Sequence, residues 1–335
     1  MGGHISACDS CKKEIISYNS CRNRHCPKCQ VTNREQWIVD RESELLPVPY
    51  YHMVFTLPHC FNALLPKHAK AVYAALFKAA WLTIQAFAED DKYLGAKPAM
   101  TSILHTWGQQ LWLHPHLHCI VPGGGITKSG NWKMAKGNGK YLFPKRALSL
   151  VFRAKFMAEL RKKLTLPYPI GKQAFKHKWV VYAKKPFASP KTVVEYLGRY
   201  SHKIALSNHR LTLVNHTSVS FSYKDYRQGA KQKLLTLSGI EFLRRFSLHI
   251  LPAGFVRIRH YGFLASRNKA LQLNIAKTEL NQPKWVKVKY SWAQIAIEKL
   301  NYNPVQCPFC KKETLRVIKI IHPERGPPVN RFSHV

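Results

Sequence analysis

The sequence predicts an α+β protein that begins with a small zinc ribbon. Short stretches rich in β-branched and aromatic residues, which indicate strands, alternate with longer amphipathic stretches, which indicate helices. Ahead of them stand two Cys-x-x-Cys pairs, Cys8/Cys11 and Cys26/Cys29, separated by 14 residues. The chain has 335 residues, of which 46% are hydrophobic, so it is long and apolar enough to bury a substantial core.

The chain is strongly basic, with 53 Lys and Arg against 17 Asp and Glu and a formal net charge of +36 at pH 7. The bias is sustained, since residues 92–278 contain 33 basic and only four acidic residues, with aromatic residues interleaved. This combination indicates a nucleic acid as the partner. An anionic membrane is a distant second, because no basic amphipathic anchor stands apart from the fold. The scarcity of acids also argues against a site of three carboxylates.

The cysteine spacing at the N-terminus is that of a zinc ribbon, because four thiolates can close a tetrahedral metal site. A segment this polar has little core of its own, so the metal would supply its folding free energy. His4, Cys21 and His25 lie in the same segment. They could form part of a second site, or one of them could replace a thiolate in the first, while Cys21 could also be a buried thiol.

The elements predicted after the ribbon follow from hydrophobic periodicity and from Pro and Gly at their ends. They are helices at 33–46, 63–91, 144–164, 239–248 and from Ser189 onward, strands at 51–57, 103–107, 115–122, 178–183, 210–214, 219–223 and 255–261, and a polar hairpin around 130–139. The apolar run 69–88 is interrupted by Lys70, Lys78 and Gln85, which indicates a core helix rather than a membrane span. No signal peptide is recognisable, so a cytoplasmic protein is expected.

Three parts of the chain are expected on this basis. The ribbon and its linker helix occupy residues 1–46, an α+β domain occupies 47–264, and a basic tail occupies 265–335. The tail carries a third cysteine pair, Cys307/Cys310, which is half of a zinc knuckle. We expect this pair to lie in a frayed segment, although His322 could assist it in binding a metal ion.

The strand at 115–122 carries the most informative motif. His116 and His118 stand two residues apart, so their side chains point to the same face of the strand. Two converging imidazoles could hold a metal ion, and His114 could join them. The alternative is a pair of structural histidines with hydrogen-bond partners. The strand ends at Pro122 and three glycines at 123–125, a turn that a DNA backbone could approach closely.

Two tyrosines could supply a nucleophile. Tyr196 and Tyr200 are four residues apart on a predicted helix, so they lie on one face. A tyrosine is usually a core or interface residue, but its hydroxyl can also attack a phosphodiester and hold the strand covalently. A divalent metal ion would polarise the phosphate and steady the leaving oxygen. Two tyrosines on one face would allow two strands to be held in turn.

These segments together resemble the two-tyrosine, His-hydrophobe-His (HUH) transposases of the bacterial insertion sequence 91 family. The similarity rests on residues 103–108, 114–118 with 123–125, and 195–201, and on the Cys-rich segment 19–30, and it extends over nearly the whole chain. It implies an HUH-type, mainly antiparallel sheet with packed helices, and rolling-circle-like transposition. Such enzymes nick one strand at a transposon end, form a 5′-phosphotyrosine, leave a free 3′-hydroxyl and transfer the strand to a target.

The resemblance also implies roles for individual residues. His116 and His118 match the ligands of a catalytic Mg²⁺ or Mn²⁺, and Tyr196 and Tyr200 match the two nucleophiles, whose helix should pack across the same sheet face. HUH sites commonly have a third ligand, for which we favour His105 on a neighbouring strand.

His114 and His202 are alternatives for the third ligand, and His105 could instead be a buried, hydrogen-bonded imidazole. Basic side chains near the proposed chemistry could contact phosphate, with solvated surface as the alternative. These residues are Arg199 and Lys203 beside the tyrosines, and Arg22, Arg24 and Lys28 in the ribbon.

Other functions remain open at this point. A plasmid relaxase or replication initiator would use the same chemistry, and a defective transposase copy would be a non-catalytic, zinc-ribbon DNA-binding protein. An RNA-associated basic protein would explain the charge but not the histidines and tyrosines. None of these readings involves a membrane or a small-molecule substrate. The chain begins almost at the ribbon, so a shortened N-terminus is expected relative to the family.

Overall fold

The computed structural model describes residues 1–323 except 22, 27–28, 136–141, 184–186, 188–191, 195, 197 and 199–203. The chain divides into two compact units. The terminal unit combines both ends of the chain, Met1–Trp37 and Val288–Val335, and the central unit is Ile38–Lys287. The boundaries differ from those expected above, because the segment after residue 264 is shared between the two units instead of forming a tail of its own.

Strands and helices are intermixed along the described residues. The strands are β1 (Gly3–Cys8), β2 (Glu14–Tyr18), β3 (Tyr50–Thr56), β4 (Ala99–Trp107), β5 (Leu113–Pro122), β6 (Gly124–Ile126), β7 (Trp132–Met134), β8 (Val180–Ala183), β9 (Leu211–Val214), β10 (Ser218–Asp225), β11 (Lys231–Ser238), β12 (Ile258–Gly262) and β13 (Leu315–Ile321). The helices are α1 (Gln30–Ser43), α2 (Leu65–Glu89), α3 (Lys145–Arg161), α4 (Tyr168–Lys176), α5 (Gly239–Ser247), α6 (Lys269–Glu279) and α7 (Trp292–Leu300).

The central unit is built on a five-stranded sheet with the order β12-β4-β5-β3-β8, and each pair in it is antiparallel. Alternate side chains of β3 and β5, such as Phe55, Leu117 and Cys119, are buried in the main hydrophobic core. That core also takes in the apolar faces of α2 and α3. The helices therefore cover one face of the sheet, and the other face carries the histidines of β5.

The helix α2 forms the centre of this core. With the preceding 3₁₀ turn it extends from His59 to Glu89, and by length and composition alone it could cross a membrane. However, 61% of its most apolar window is buried inside the protein, with residues such as Leu76, Phe77 and Ile84 fully enclosed. Packing against the sheet thus accounts for its apolarity, and the core helix predicted for this run is confirmed.

A second sheet in the central unit has the order β11-β10-β9, again antiparallel throughout. Phe221 of β10 and Leu237 of β11 bury one face of it together with Leu111, which belongs to the loop between β4 and β5. The aromatic rings of α5 pack against the same small core. This contact holds β10 beside the β4–β5 loop.

The terminal unit contains a three-stranded antiparallel sheet with the order β13-β1-β2. Its helix α7 begins with a capping box, in which Ser291 and Gln294 satisfy each other's backbone N–H groups, and ends at Asn301 in the left-handed region. The α+β class with antiparallel sheets and packed helices is therefore confirmed. The strands β1, β2, β11 and β13 were not among the predicted elements.

Candidate functional site

Three histidines converge on the face of the central sheet that lies opposite the main core. His105 of β4 and His116 of β5 are direct cross-strand partners, and His118 lies two residues further along β5. Each offers one ring nitrogen, and these three nitrogen atoms all lie within 4.8 Å of one another. The β4–β5 register shifts just after His105, a bulge of the kind that re-aims side chains beside sites. The predicted placement of His105 next to the His116/His118 strand is confirmed.

Hydrogen bonds orient two of these rings. His116 Nδ1 lies 2.6 Å from the backbone oxygen of His114, so it donates its proton there and keeps its lone pair on Nε2. His118 Nδ1 lies 3.0 Å from Nε2 of His52 on the neighbouring strand β3. A ligand imidazole is typically held in this way, by a partner on the ring nitrogen that does not face the metal. His114 itself lines the same cleft but is not one of the three converging rings.

His52 is a site residue that the sequence analysis missed. It is 2% exposed, its ring lies nearly parallel to that of His118 with the ring centres 5.2 Å apart, and the ring of Tyr196 meets it edge-on at 5.1 Å. The predicted nucleophile Tyr196 therefore lies on the same sheet face as the imidazoles, with His52 between it and His118. The sequence offered one signal for His52, a polar residue inside the apolar strand 50–56. Its partner His118 is revealed only by the register between β3 and β5.

The segment that carries Tyr196 is packed closely against the central unit. Residues 192–194, Tyr196 and Gly198 are helical, and Val193 and Val194 are buried. Gly198 lies directly on Ile38 of α1, and a side-chain carbon at this position would overlap the Ile38 side chain. A larger residue at this position would require the Ile38 side chain to move, so the small size of glycine allows the segment to pack this closely.

A cleft of about 770 Å³ opens beside the three histidines. Its lining includes Trp107 at the end of β4, Trp112 in the β4–β5 loop, and Tyr226 directly after β10. Leu111 in this loop is fully buried and adopts a positive φ of 61°, a conformation that costs energy for a side chain of this kind. The buried imidazole of His249, bonded to both Thr106 and the Leu111 carbonyl, helps to hold the loop in place.

The charges in the cleft favour an anion. Arg210 is fixed by donating to the backbone oxygens of Ser222 at 2.7 Å and Gln109 at 2.6 Å, and burial lowers the pKa of its guanidinium. The one carboxylate in the described lining, Asp225, is paired with a lysine at 2.9 Å. At the rim, Trp112 is 47% exposed and has the guanidinium of Arg245 at 3.7 Å from its ring centre.

One imidazole in the cleft, His114, resists protonation. Burial, and to a lesser extent the neighbouring His59, lowers the pKa of His114, whose ring lies 5.7 Å from that of His59. A proton on His114 is therefore disfavoured, and its ring adds no charge to the cleft near neutral pH. The positive charge of the cleft therefore comes from basic side chains such as Arg210 and Lys224.

Several predicted residues lie outside the described part of the chain. They are Tyr200, Arg199, Lys203, Arg22 and Lys28, together with the alternative ligand His202. Arg24 is described and half-buried in a turn.

The prediction that DNA could approach the glycine turn closely is wrong. Gly123, Gly124 and Gly125 are all buried, and the space beside them is filled by protein, including the Trp132 ring and the Lys97 backbone. Their small size serves packing around β6, and the turn offers no open edge for DNA.

The cysteines group differently from the expected ribbon. Cys8 and Cys11 meet Cys307 and Cys310, and all four sulfur atoms lie within 4.8 Å of one another. Cys26 and Cys29 instead join Cys21 in a separate group of three. The single site expected from Cys8/Cys11 and Cys26/Cys29 is therefore wrong, because the β1–β13 pairing brings the second Cys-x-x-Cys pair from the far end of the chain. The expected frayed segment at Cys307/Cys310 is wrong for the same reason.

The sulfur geometry fits a tetrahedral zinc site. Cys8 Sγ lies 3.5 Å from Cys310 Sγ, and Cys11 Sγ lies 3.6 Å from Cys307 Sγ. Zinc–sulfur bonds of about 2.3 Å place tetrahedral ligands roughly 3.8 Å apart. In the group of three, Cys21 Sγ lies 3.3 Å from Cys29 Sγ. His4 lies in β1 and pairs with Ser17 of β2, and neither it nor His25 is a member of these described cysteine groups.

Comparisons with known proteins agree with these features. Residues 99–271 match the family described as "Putative transposase", and residues 1–57 match the family described as "Transposase zinc-binding domain". The "Putative transposase y4qJ" of Sinorhizobium fredii is 41% identical, over 98% of this chain and 87% of that relative. The "Transposase for insertion sequence element IS801" of Pseudomonas savastanoi pv. phaseolicola is 30% identical, over 90% of this chain and 75% of that relative. No solved structure matches.

These matches distinguish between some of the functions that the sequence left open. They support a DNA-processing transposase with structural zinc, rather than an RNA-associated protein or a plasmid replication enzyme. DNA as the partner accounts for the net charge of +36. The first match covers just over half of the chain, and both relatives align along most of it. The chain belongs to the insertion sequence 91 family of transposases and carries the zinc-binding domain of that family at its N-terminus.

Proposed function

We propose that this transposase cuts and rejoins single-stranded DNA through a 5′-phosphotyrosine formed beside the three histidines, in a rolling-circle-like transposition. The observation that carries the proposal is the convergence of His105, His116 and His118 within 4.8 Å on the sheet face where Tyr196 packs. A structural histidine needs only a hydrogen-bond partner of its own. Side-chain packing does not require three histidines to direct their ring nitrogen atoms to one place, whereas metal binding does.

The three histidines would hold a divalent cation, which when bound would polarise the scissile phosphate and steady the leaving oxygen. An all-imidazole set departs from the oxygen ligands that Mg²⁺ prefers, so of the two expected metals it favours Mn²⁺. His52 would keep the ring of His118 in place, and the His114 carbonyl would do the same for His116.

The chemistry would proceed by exchange of one P–O bond for another. The Tyr196 hydroxyl oxygen attacks the scissile phosphorus and loses its proton to solvent, while the bond from phosphorus to the 3′ oxygen breaks and that oxygen takes up a proton. The 5′ phosphate stays on the tyrosine. A 3′-hydroxyl can later attack the phosphotyrosine, which re-forms a phosphodiester without any external energy source. Tyr200 would act as the second nucleophile, as the family resemblance implies.

The cleft would bind the DNA strand. Arg210 and Lys224 would contact phosphates, and the exposed rings of Trp112 and Tyr226 would stack on bases. Phosphate contacts of this kind position the strand without reading its sequence. Arg24 in the terminal unit, and Arg199, Lys203, Arg22 and Lys28 outside the described residues, are proposed as further phosphate contacts on the basis of the sequence.

A covalent adduct tests the proposal. The full chain is incubated with Mn²⁺ and with 3′-fluorescein-labelled single strands that cover both ends of its own insertion element. A labelled protein band that survives denaturation is expected, and Tyr196→Phe combined with Tyr200→Phe should abolish it. Tyr182→Phe, on the exposed edge strand β8, is the matched control and should leave it unchanged.

Two outcomes would overturn the proposal. An adduct that persists in the double variant but is lost in Tyr226→Phe would make Tyr226, another residue that lines the cleft, the nucleophile. DNA binding without any adduct, for either end and either metal, would favour the non-catalytic DNA-binding protein.

A further inference from the structure

The two cysteine pairs that meet in the terminal unit share a local sequence. Cys8-Asp-Ser-Cys11-Lys-Lys-Glu and Cys307-Pro-Phe-Cys310-Lys-Lys-Glu have the same residues at five of seven positions, although they stand at opposite ends of the chain. The family match to a zinc-binding domain covers residues 1–57, so it contains the first pair and not the second.

Their backbone conformations are also the same. The residue after each second cysteine has a positive φ, 58° at Lys12 and 62° at Lys311. Each of these lysines donates its N–H to the oxygen of the first cysteine at 2.9 Å, and each first cysteine donates back across the turn, Cys8 at 3.1 Å and Cys307 at 2.8 Å. Two turns of one geometry therefore face each other, each presenting two sulfur atoms.

The sulfur atoms are placed for a metal ion rather than for disulfides. Each close pair joins one turn to the other, at 3.5 and 3.6 Å, well beyond the roughly 2.05 Å of a sulfur–sulfur bond. Cys8 and Cys307 are buried, at 1% and 0% exposure. Four mutually close thiols with two of them buried suit a tetrahedral ion that takes sulfur ligands, which in this family is zinc.

The sheet around these turns gains little from apolar packing. Three apolar side chains of β13 remain more than half exposed: Val317, Ile318 and Ile320. On β2, Ile16 is 56% exposed. A sheet of three short strands with such open faces needs another source of stability, and a metal ion that joins its turns would provide it.

We propose that Cys8, Cys11, Cys307 and Cys310 bind one Zn²⁺ that fastens the two ends of the chain together. The zinc-binding domain is then completed by the C-terminal segment 307–321 and not by the N-terminal segment alone. This zinc centre is distinct from the group of Cys21, Cys26 and Cys29. It is also independent of the proposed phosphotyrosine chemistry, since its test measures zinc and not cleavage.

Zinc content of the purified full chain is the first test. By elemental analysis, Cys307→Ser/Cys310→Ser should contain one equivalent of zinc less than the wild type, and Cys8→Ser/Cys11→Ser should show the same loss. Combining all four substitutions should still remove only one equivalent, because the two pairs serve one ion. Cys60→Ser, outside both cysteine groups, should keep the wild-type content. Unchanged zinc in Cys307→Ser/Cys310→Ser would overturn the proposal.

A measurement on the unsubstituted chain covers the case in which these variants fail to fold. The protein is treated with N-ethylmaleimide during slow removal of zinc by a chelator, and each cysteine is followed by mass spectrometry. Cys8, Cys11, Cys307 and Cys310 should lose protection together. If Cys8 and Cys11 become reactive in step with Cys26 and Cys29 while Cys307 and Cys310 react from the start, the proposed zinc centre does not exist.

Discussion

The chain contains two regions suited to metal ions, and they are built in opposite ways. The imidazole cluster comes from residues 105–118, on two paired strands that are already held by the main core on the other sheet face. The four-cysteine cluster comes from residues about 300 positions apart, with 302 between Cys8 and Cys310, on a sheet whose apolar side chains are largely exposed.

This difference separates the roles of the two metals. In the central unit, core packing and strand pairing would hold the three histidines in place before any cation arrives, so the ion can be exchanged while the site persists. In the terminal unit, the sheet and the cysteine turns depend on each other, so loss of the ion would also mean loss of the fold. We therefore infer that the imidazole cluster would exist before a cation binds, whereas zinc bound at the cysteine cluster would contribute to the folding free energy of the terminal unit.

Chelation should give the largest contrast between the two regions. Structural zinc contributes about 10–16 kcal/mol to the folding free energy of small domains, so its removal should unfold the β13-β1-β2 sheet. The central sheet should persist. Hydrogen exchange followed by mass spectrometry would show this as rapid exchange in β1 and β13 with continued protection in β3 and β5. Continued protection of β1 and β13 after complete zinc removal would show that the terminal sheet does not depend on zinc.

Loss of one imidazole should affect activity and leave the fold unchanged. His116→Ala should weaken Mn²⁺ binding by more than about 100-fold, because even an indirect partner of a ligand typically contributes 10–100-fold. Adduct formation should fall with it. The urea midpoint should change little, since the His116 side chain lies on the face away from the core. His216→Ala, in an exposed turn, is the control and should alter neither property. Mn²⁺ binding at wild-type strength in His116→Ala would remove His116 from the ligand set.

Local spacing made the imidazole cluster predictable. Residues two apart on a strand share a face, and a short connection between two strands makes them antiparallel neighbours, so His105, His116 and His118 could be brought together from sequence alone. His52 could not be included, because its position depends on the register between β3 and β5. That register is set by packing across the whole sheet and not by any local signal.

The cysteine cluster was beyond prediction from spacing. Cys8/Cys11 and Cys26/Cys29 have ribbon spacing, and proximity in sequence favoured their pairing over a partner about 300 residues away. The repeated Cys-x-x-Cys-Lys-Lys-Glu pattern at Cys307/Cys310 was the signal that could have identified the correct partner. The strand β13 follows that pattern directly, and its pairing with β1 completes the four-sulfur group.

The role of His52 gives a sharper test of preorganisation. If this imidazole holds the His118 ring, His52→Phe should lower Mn²⁺ affinity about 10- to 100-fold and leave zinc content unchanged. His52→Gln retains a group that can accept the hydrogen bond from His118, so it should lose less. The measurement is Mn²⁺ titration followed by electron paramagnetic resonance. Equal losses in the two variants would mean that His52 only fills space beside His118.

The smallest effect should come from a substitution at Gly198, where the segment that carries Tyr196 packs on Ile38. Gly198→Ala forces a side-chain carbon into Ile38, and overpacking of this kind costs about 1–3 kcal/mol. Gly171→Ala, on the helix α4 with no atom within 4 Å of the new carbon, is the matched control and should stabilise by about 0.4–1 kcal/mol. Urea unfolding of the central unit measures both. Because the histidines are held by the sheet and not by this segment, Gly198→Ala should reduce adduct formation while Mn²⁺ affinity stays at the wild-type value. A parallel fall in Mn²⁺ affinity would show instead that the segment and the imidazole cluster form one cooperative site.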